Sequence, residues 1–303
     1  MSVIDVAVLG RVGIDLYPNQ LRTPLREVRT YTRFVGGFAG NVATGLARLG
    51  LTPAIVSRVG SDPHGDFVRD FLSSEGVDVR FLGVDERLRT PPTFCEVWPP
   101  DRFPITFYRY PTAPDWQLVP DDFDAGEVSG APFLLATGTG LAQSPSRETT
   151  LAALEAHQHV TIFDLDWRPT LWEQPDAYSQ LAQTAARHAD VVIGNEEEVE
   201  AAAGDPQTLL DLGVSTLVLK RGERGALLFH EGAQIDVPGH PVEVVNGLGA
   251  GDAFVAAFVQ SLHAGRSLEE AAGRGSVAGA IVASQLACSE AMPRLAELEA
   301  ELT

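Results

Sequence analysis

Cysteine is scarce in this 303-residue sequence: only Cys95 and Cys288 occur, far apart and without a CxxC or Cys/His cluster. This scarcity argues against a disulfide framework or a thiolate metal site and is typical of a protein that works in a reducing cytoplasm. Long apolar runs of about 18 residues are also lacking, so no membrane-spanning helix is predicted. The apolar segment 3–9 is interrupted by Asp5 and has no basic flank, so no signal peptide is predicted. We therefore expect a soluble, cytoplasmic protein with no membrane partner.

Basic residues are few: 22 Lys and Arg side chains stand against 41 Asp and Glu, which gives a formal net charge of -19. A surface with this charge would repel nucleic acid and anionic lipid, so we expect no nucleic-acid partner. The hydrophobic fraction of 45% is nevertheless sufficient for a large core. Because no repeat or low-complexity linker divides the sequence, we expect one domain over residues 1–303.

Short apolar runs alternate with longer segments of helical spacing, which is typical of a mostly parallel sheet covered by helices. The predicted strands are residues 4–9, 54–59, 133–137, 160–164, 191–193 and 217–220. Helices are predicted at 41–49, before Gly50, and from Asp62 to Gly76. Because the carboxyl ends of parallel strands face the ligand crevice of such a sheet, we expect the functional residues there.

Two aromatic-rich stretches, 16–35 and 93–110, have strand-like composition but no attached helix. We expect them to form a small second layer over the crevice, a lid built from about residues 12–35 and 90–112. Exposed strands of such a lid could pair between two subunits, which would give a homodimer.

The segment 246–252, with the sequence Asn-Gly-Leu-Gly-Ala-Gly-Asp, precedes a helix with apolar residues at helical spacing. Glycines at 249 and 251 let the backbone approach a phosphate, and the first amides of a helix attract anions. Asp252 would repel a phosphate there unless it takes a proton from an attacking hydroxyl, as a general base does. A simpler interpretation is that Asp252 caps the N-terminus of the helix. From the residues alone, both interpretations stay open.

At Gly249-Ala250-Gly251-Asp252 the sequence resembles the ribokinase-like (PfkB) family of carbohydrate kinases. Further motifs of that family occur in family order over essentially the whole chain: Gly36-Gly37 with Asn41, Asn195 with Glu198, and Lys220 with Gly222 and Gly225. The resemblance implies a three-layer α/β/α sandwich with a mostly parallel central sheet and a small β-sheet lid. It also implies that the chain uses ATP and Mg²⁺ to phosphorylate a small sugar or sugar acid.

The resemblance assigns roles to residues of this sequence. Phosphoryl transfer falls to Asp252 as the base and to the backbone amides of Gly249, Ala250 and Gly251. The expected sugar ligands are Asp15, Gly36, Gly37 and Asn41. The expected nucleotide ligands are Asn195, Lys220, Gly222, Gly225 and Ser276, and Glu198 is expected to hold Mg²⁺ through water. Without the resemblance, Asn41 is a plausible cap for the helix that follows it.

Longer stretches at 107–111, 164–169 and 279–284 are similar to the family members that phosphorylate a keto sugar acid at its 6-hydroxyl in myo-inositol breakdown. A carboxylate substrate in so acidic a protein needs a local guanidinium, which suggests Arg109 and Arg168 as substrate ligands. The alternative for Arg109 is a lid residue stacked on a tyrosine.

Other functions stay open. A 2-dehydro-3-deoxygluconate kinase or a fructokinase would share the glycine motifs and differ in pocket and lid. A nicotinamide-dependent oxidoreductase would need a glycine fingerprint after the first strand, and residues 10–15 lack its third glycine. A sugar-acid sensor without turnover is disfavoured by the intact Asp252.

The sequence departs from the family pattern at a few positions. Asn246 stands where many members have an aspartate associated with a monovalent-cation site, which leaves potassium dependence open. Phe38-Ala39-Gly40 replaces the usual segment before Asn41, and Thr112 stands where the similar sugar-acid kinases commonly have lysine. These changes bear on the substrate pocket more than on Asp252.

Overall fold

The computed structural model describes residues 3–303. Its strands are β1 (Val6–Leu9), β2 (Gly13–Pro18), β3 (Tyr31–Gly36), β4 (Pro53–Gly60), β5 (Leu82–Asp85), β6 (Pro92–Cys95), β7 (Ile105–Phe107), β8 (Phe133–Thr137), β9 (Val160–Asp164), β10 (Val191–Asn195), β11 (Thr216–Lys220), β12 (Ala226–His230) and β13 (Ala233–Val237). Its α-helices are α1 (Phe38–Arg48), α2 (Pro63–Ser74), α3 (Ala125–Ser129), α4 (Ser146–Ala156), α5 (Ala177–Ala186), α6 (Glu196–Ala203), α7 (Pro206–Asp211), α8 (Ala250–His263), α9 (Leu268–Ala283) and α10 (Leu295–Glu301). Short 3-10 helices cover Leu25–Glu27, Pro114–Gln117, Pro120–Asp122, Gly138–Leu141, Pro169–Leu171, Gly222–Arg224 and Ser289–Ala291.

A sheet of nine strands, in the order β13-β12-β11-β10-β9-β8-β1-β4-β5, lies at the centre of the described chain. The strands from β11 to β5 in that order are parallel, and β12 and β13 extend the sheet as antiparallel strands at one edge. The prediction of a mostly parallel sheet is confirmed. Two of the predicted strands, 133–137 and 160–164, match β8 and β9 residue for residue.

Helices cover both faces of the large sheet, which makes three layers. Successive side chains of a strand point to opposite faces, so β1 contributes to two separate apolar clusters. Val6 and Val8 pack in the cluster that contains α1, α8 and α9, whereas Ala7 and Leu9 pack in the one that contains α4, α5 and α6. The three-layer sandwich expected from the sequence is therefore present. Within residues 3–303 no helix combines the length and the apolarity needed to cross a membrane.

A separate small sheet has the strand order β3-β2-β6-β7, and its strands lie in the two aromatic-rich regions predicted to form a second layer. One face of this sheet is buried and carries Asp15 and Tyr17 from β2 and Cys95 from β6. Phe94, one residue before Cys95, lies in edge-to-face contact with Tyr31 and with Tyr108, which is 60% exposed. The alternation of a strand thus directs Asp15 inward and the aromatic cluster outward.

Helix α1 begins earlier than predicted. It starts at Phe38, directly after Gly37, so Asn41 lies inside the helix and not at its cap. The interpretation of Asn41 as a cap is therefore wrong, and its side chain is available for another contact. The second predicted helix is confirmed with its cap, because Asp62 accepts hydrogen bonds from the first backbone amides of α2.

Candidate active site

The carboxyl ends of four neighbouring parallel strands carry polar side chains. Strand β8 ends at Thr137, β9 at Asp164, β10 at Asn195 and β11 at Lys220. The register places Thr137 beside Asp164 and Asn195 beside Lys220. Lys220 Nζ donates a hydrogen bond to Asp164 Oδ2 at 3.0 Å, across the intervening strand β10. The polar edge expected from the sequence is therefore one continuous row.

Helix α8 begins beside this row, and its start is built from glycine and alanine. Gly249 is the N-cap residue and has a φ of 84°, a left-handed conformation that glycine adopts without strain. The Ala250 amide makes a long hydrogen bond of 3.4 Å to the Gly247 carbonyl. Asp252 lies in the first turn, and its carboxylate accepts a hydrogen bond from Asn41 Nδ2 at 2.7 Å. Because Gly249 is the cap, the interpretation of Asp252 as the N-cap is wrong.

The Asp252 carboxylate is tuned by its surroundings. Burial raises its pKa to about 6, against the opposing hydrogen bond from Asn41. The Asp166 carboxylate raises the pKa further, while the cations Lys220 and Arg168 lower it. A carboxylate with a pKa just below neutral is ionised at pH 7 and yet basic enough to accept a proton in a transition state.

On the buried face of the small sheet, the Asp15 carboxylate lies against Gly36, the last residue of β3. A Cβ atom at Gly36 would overlap the Asp15 carboxylate, so only glycine fits at that position. Tyr17 donates a hydrogen bond of 3.4 Å to Asp15 Oδ2, and burial raises the pKa of Asp15. Among the described residues, Asp15 Oδ1 and Asn41 Oδ1 are buried acceptors without a donor. Buried acceptors of this kind need partners, and the hydroxyls of a sugar would supply them.

Arg168 and Arg109, the two predicted carboxylate ligands, lie in different surroundings. Arg168 pairs with Asp166 at 3.1 Å, and its side chain is 41% exposed. Burial by itself would lower its pKa, but the carboxylates of Asp166, Glu198 and Asp252 outweigh that effect and raise it. Arg168 is therefore a persistent cation, and it lies close enough to Asp252 for the two charges to interact.

Arg109 is only 2% exposed and is paired inside the protein. Its guanidinium donates to Asp115 Oδ2 at 2.6 Å and stacks over the Trp116 ring, 4.1 Å from the ring centroid. The expected stacking partner, a tyrosine, is thus wrong, and a tryptophan takes that place. Among the described residues, Nε and Nη1 of Arg109 are buried without acceptors. Burial lowers the pKa of Arg109, against the attraction of Asp115.

Asn195 and Glu198 form a capping box at the start of α6. Asn195 Oδ1 accepts from the Glu198 amide, and Glu198 Oε2 accepts from the Asn195 amide, both at 2.8 Å. Glu198 is 4% exposed and lies 4.0 Å from Lys220 Nζ. Within residues 3–303, no three or more His, Cys, Asp or Glu side chains are grouped so that they could hold a metal ion. A role of Glu198 through water stays a prediction.

An open cavity of about 930 Å³ lies at the end of β11 and the start of α8. The predicted nucleotide and phosphate residues that line it are Lys220, Gly222, Gly225, Ala250, Gly251 and Ser276. Asn195 is not among the lining residues. The Ser276 hydroxyl on α9 is buried without a partner in the described chain, and it can bond a ligand there.

Lys220 is the only lysine of the sequence and a fixed positive charge in this cavity. Burial would lower its pKa, but the carboxylates of Asp164 and Glu198 raise it by more. The ammonium group is therefore charged at neutral pH and can attract phosphates.

Sequence reasoning missed Arg11, Asp164 and Asp166 as residues of the site. Arg11 follows β1, donates to Thr93 Oγ1 at 3.3 Å and lies over the Phe107 ring. Asp164 and Asp166 flank the end of β9, and both are buried. Their signal was visible, since each follows a parallel strand on its carboxyl side, but which strands are neighbours becomes known only from the fold.

Comparison with known proteins gives consistent matches over almost the whole chain. A family model described as pfkB family carbohydrate kinase matches residues 3–295. The 5-dehydro-2-deoxygluconokinase of Clostridium tetani is 35% identical, with 98% of this chain and 92% of the relative covered. The protein of the same name from Shouchella clausii is 36% identical, with 98% and 94% covered.

The fold also matches solved structures. A double mutant of the fructokinase from Vibrio cholerae, solved with fructose, ADP and a potassium ion, superposes with a TM-score of 0.88 at 29% identity. The superposition covers 100% of this chain and 99% of the fructokinase chain.

Proposed function

We propose, on the premise that this chain belongs to the pfkB family of carbohydrate kinases, that it transfers the γ-phosphate of ATP to the 6-hydroxyl of 5-dehydro-2-deoxy-D-gluconate. That the chain is an ATP-dependent carbohydrate kinase follows from the family match and the kinase-named relatives. The particular sugar acid is supported by the names of those relatives. It would make this chain an enzyme of myo-inositol breakdown.

The observation that carries the proposal is the Asp252 carboxylate, held by Asn41 at the start of α8 with a pKa raised by burial to about 6. In the proposed reaction Asp252 takes the proton of the primary hydroxyl as that oxygen attacks the γ-phosphate in line. The backbone amides of Gly249, Ala250 and Gly251 stabilise the charge that develops on the phosphoryl oxygens. Two of these residues are glycines and the third has only a methyl side chain, so the phosphate can come close.

The nucleotide occupies the cavity beside α8 in this proposal. Lys220 attracts its phosphates, Gly222 and Gly225 shape the loop around it, and the unpartnered Ser276 hydroxyl bonds its base or ribose. Mg²⁺, bound with the nucleotide, would neutralise phosphate charge, and Glu198 with Asn195 would hold it through water. Asn195 has the weakest support, because its side chain already caps α6.

The sugar lies between the small sheet and α1. Asp15 Oδ1 and Asn41 Oδ1, which have no donor among residues 3–303, accept hydrogen bonds from its hydroxyls. Gly36 leaves the space that the Asp15 carboxylate fills, and Gly37 lets the backbone pass close to the Arg11 carbonyl. The small sheet, built from about residues 12–35 and 90–112, serves as a lid over the sugar. Excluding water matters here, because a kinase that admits water hydrolyses ATP.

Arg168 supports a sugar acid as the substrate. It is charged, partly exposed and directed at a region of otherwise acidic side chains, so it can bind a substrate carboxylate bidentately. Two nitrogens of Arg109, Nε and Nη1, have no acceptor among residues 3–303 and would add a second contact. Thr112, in place of a lysine, accepts a hydrogen bond from Gln117 and offers no charge.

The test is ADP release by the purified protein with Mg²⁺ and ATP. Separate reactions contain 5-dehydro-2-deoxygluconate, 2-dehydro-3-deoxygluconate, fructose, ribose or no sugar. We expect selective turnover of the first substrate. Fructokinase activity is the second candidate, because the fold superposes closely on a fructose-bound kinase. Turnover of fructose alone would establish that candidate instead, and ATP binding without any turnover would contradict the kinase assignment.

A further inference from the structure

The loop that precedes α8 is held from inside the protein by Asn246, which is 0% exposed. We call residues 246–249 the transfer loop. Asn246 Nδ2 donates to the Leu286 carbonyl at 2.7 Å, and Asn246 Oδ1 accepts from the Leu248 amide at 3.1 Å. One buried side-chain amide thus joins the transfer loop to the turn that follows α9.

Cys288 supports the same loop from the other side of that turn. Its Sγ donates to the Leu248 carbonyl at 3.3 Å, and its Sγ lies 2.9 Å from the position of a Cβ atom at Gly249. The carbonyl oxygens of Leu248 and Leu286 therefore both accept hydrogen bonds from protein donors. Phe103 packs on the loop as well, against Gly247.

These contacts disfavour the binding of a monovalent cation at the transfer loop. A cation such as K⁺ is bound by several oxygens whose lone pairs point at it, often backbone carbonyls. Here a neutral amide replaces the aspartate that many family members have, and its N–H group, which cannot bind a cation, points at the Leu286 carbonyl. The residues present do not fit the monovalent-cation site that the family resemblance implies.

We infer that Asn246 is a positioning residue whose side-chain amide orders the transfer loop in place of a monovalent cation, so that phosphoryl transfer needs none. The inference rests on the proposed function, since the loop leads directly into Gly249 and the start of α8. An ordered loop keeps those amides in place before the transition state forms, which is the source of their effect on rate.

The first experiment uses the unaltered protein, exchanged into tetramethylammonium chloride. Sugar-dependent ADP release is measured in that salt and after replacement by NaCl or KCl at equal ionic strength. We expect the same kcat and the same melting temperature in all three salts. A rise in kcat of about tenfold or more with KCl would overturn the inference.

The second experiment uses Asn246→Asp, which keeps the acceptor for the Leu248 amide and places an oxygen against the Leu286 carbonyl. In tetramethylammonium chloride we expect kcat to fall about tenfold or more, because a buried carbonyl loses its donor. The KM for ATP and the Kd for ADP should change little, since the loop acts on the transition state. KCl should restore kcat and raise the melting temperature of this variant only, because K⁺ can bridge the two oxygens.

Gln285→Ala is the matched control, because exposed Gln285 also donates to a backbone carbonyl near this turn, that of Ile281. It should behave as the unaltered protein in every salt. An Asn246→Asp variant with full kcat without K⁺ would refute the positioning role. If that variant does not fold, the salt comparison of the unaltered protein still decides. Turnover that requires K⁺ contradicts this inference alone, whereas no turnover in any salt contradicts the proposed function.

Discussion

The nucleotide half and the sugar half of the site are built in different ways. The nucleotide half is an open cavity in which glycines and alanines expose the backbone, and Lys220 is one of the residues that line it. The sugar half consists of buried side chains: Asp15 is 5% exposed, Asn41 3% and Arg109 2%. In the proposed function, backbone conformation would therefore govern ATP binding, and side-chain charge and hydrogen bonding would govern sugar recognition. Substituting a side chain of one half should therefore change the kinetic constants for that half's substrate and leave the KM for the other substrate unchanged.

The largest effect is expected at Asp252, which joins the halves. Asp252→Asn keeps the shape but removes the base, so kcat should fall roughly 10²–10⁴-fold. The Kd for ADP, measured by calorimetry, should stay nearly unchanged because the nucleotide cavity is intact. Exposed Asp205→Asn, at the start of α7, is the control. Unaltered kcat in Asp252→Asn would remove this residue from the mechanism.

The next effect concerns the stability of the sugar half. Arg109→Met leaves Asp115 buried without its partner, which should lower the free energy of unfolding by about 3–5 kcal/mol. Replacing both residues, as Arg109→Met with Asp115→Leu, should recover much of that loss. Arg26→Met, which breaks an exposed pair with Glu27, should change stability very little. Denaturant unfolding curves give the free energy of unfolding of all three variants. Equal losses of stability in Arg109→Met and Arg26→Met would contradict the expected difference between a buried and an exposed ion pair.

A smaller and more specific effect is expected at Arg168. Arg168→Met should lower kcat/KM for the sugar acid roughly tenfold to a hundredfold, the range of a hydrogen bond to a charged group. The KM for ATP should not change, and kcat/KM for a neutral sugar such as fructose should fall only slightly. Exposed Arg187→Met serves as the control. An equal fall in kcat/KM for acidic and neutral sugars would show that Arg168 does not bind the substrate carboxylate.

The pH profile provides a further test of Asp252. Only its ionised form accepts a proton, and burial raises its pKa to about 6. Activity should therefore be present above that pH, and kcat/KM should fall about tenfold per pH unit below it. Asp252→Asn should lose this acidic limb while keeping its residual rate. A profile that stays flat down to pH 4 would contradict the raised pKa.

The smallest effect is expected in the nucleotide half. Ser276→Ala removes one hydroxyl that has no partner among residues 3–303. It should raise the KM for ATP only a few-fold, as for one neutral hydrogen bond of about 1 kcal/mol. The KM for the sugar should not change. If the KM for the sugar rises as much as the KM for ATP, Ser276 does not act on nucleotide binding alone.

Much of the fold was predictable because it follows from local patterns. Apolar runs gave β8 and β9 residue for residue. The glycine-rich segment 246–252 indicated that α8 follows, but the helix begins at Ala250, inside that segment. The predicted start of α1 was wrong because Phe38 and Ala39 extend the helix on the N-terminal side of Asn41. Both side chains are buried, and their packing favours the longer helix over a cap at Asn41. Local signals determine that an element exists more reliably than where it begins.

Within the candidate site, the proposed nucleotide half is easier to recognise in the sequence than the proposed sugar half. Its glycines and Lys220 form short motifs that can be recognised along the chain. The partners in the sugar half are distant in sequence: Asp15 fits against Gly36, and Asn41 bonds Asp252. The pairing of Arg109 with Asp115 depends on how the loop after β7 folds, which no pattern specifies.

The most direct test of the central claim is a competition experiment in which 5-dehydro-2-deoxy-D-gluconate and fructose are present together with ATP and Mg²⁺. Phosphorus and proton NMR identify the products, and their ratio gives the ratio of kcat/KM values. We expect a phosphate ester on the C6 methylene of the sugar acid as the dominant product. A phosphate ester of fructose alone, or unconsumed ATP, would contradict it.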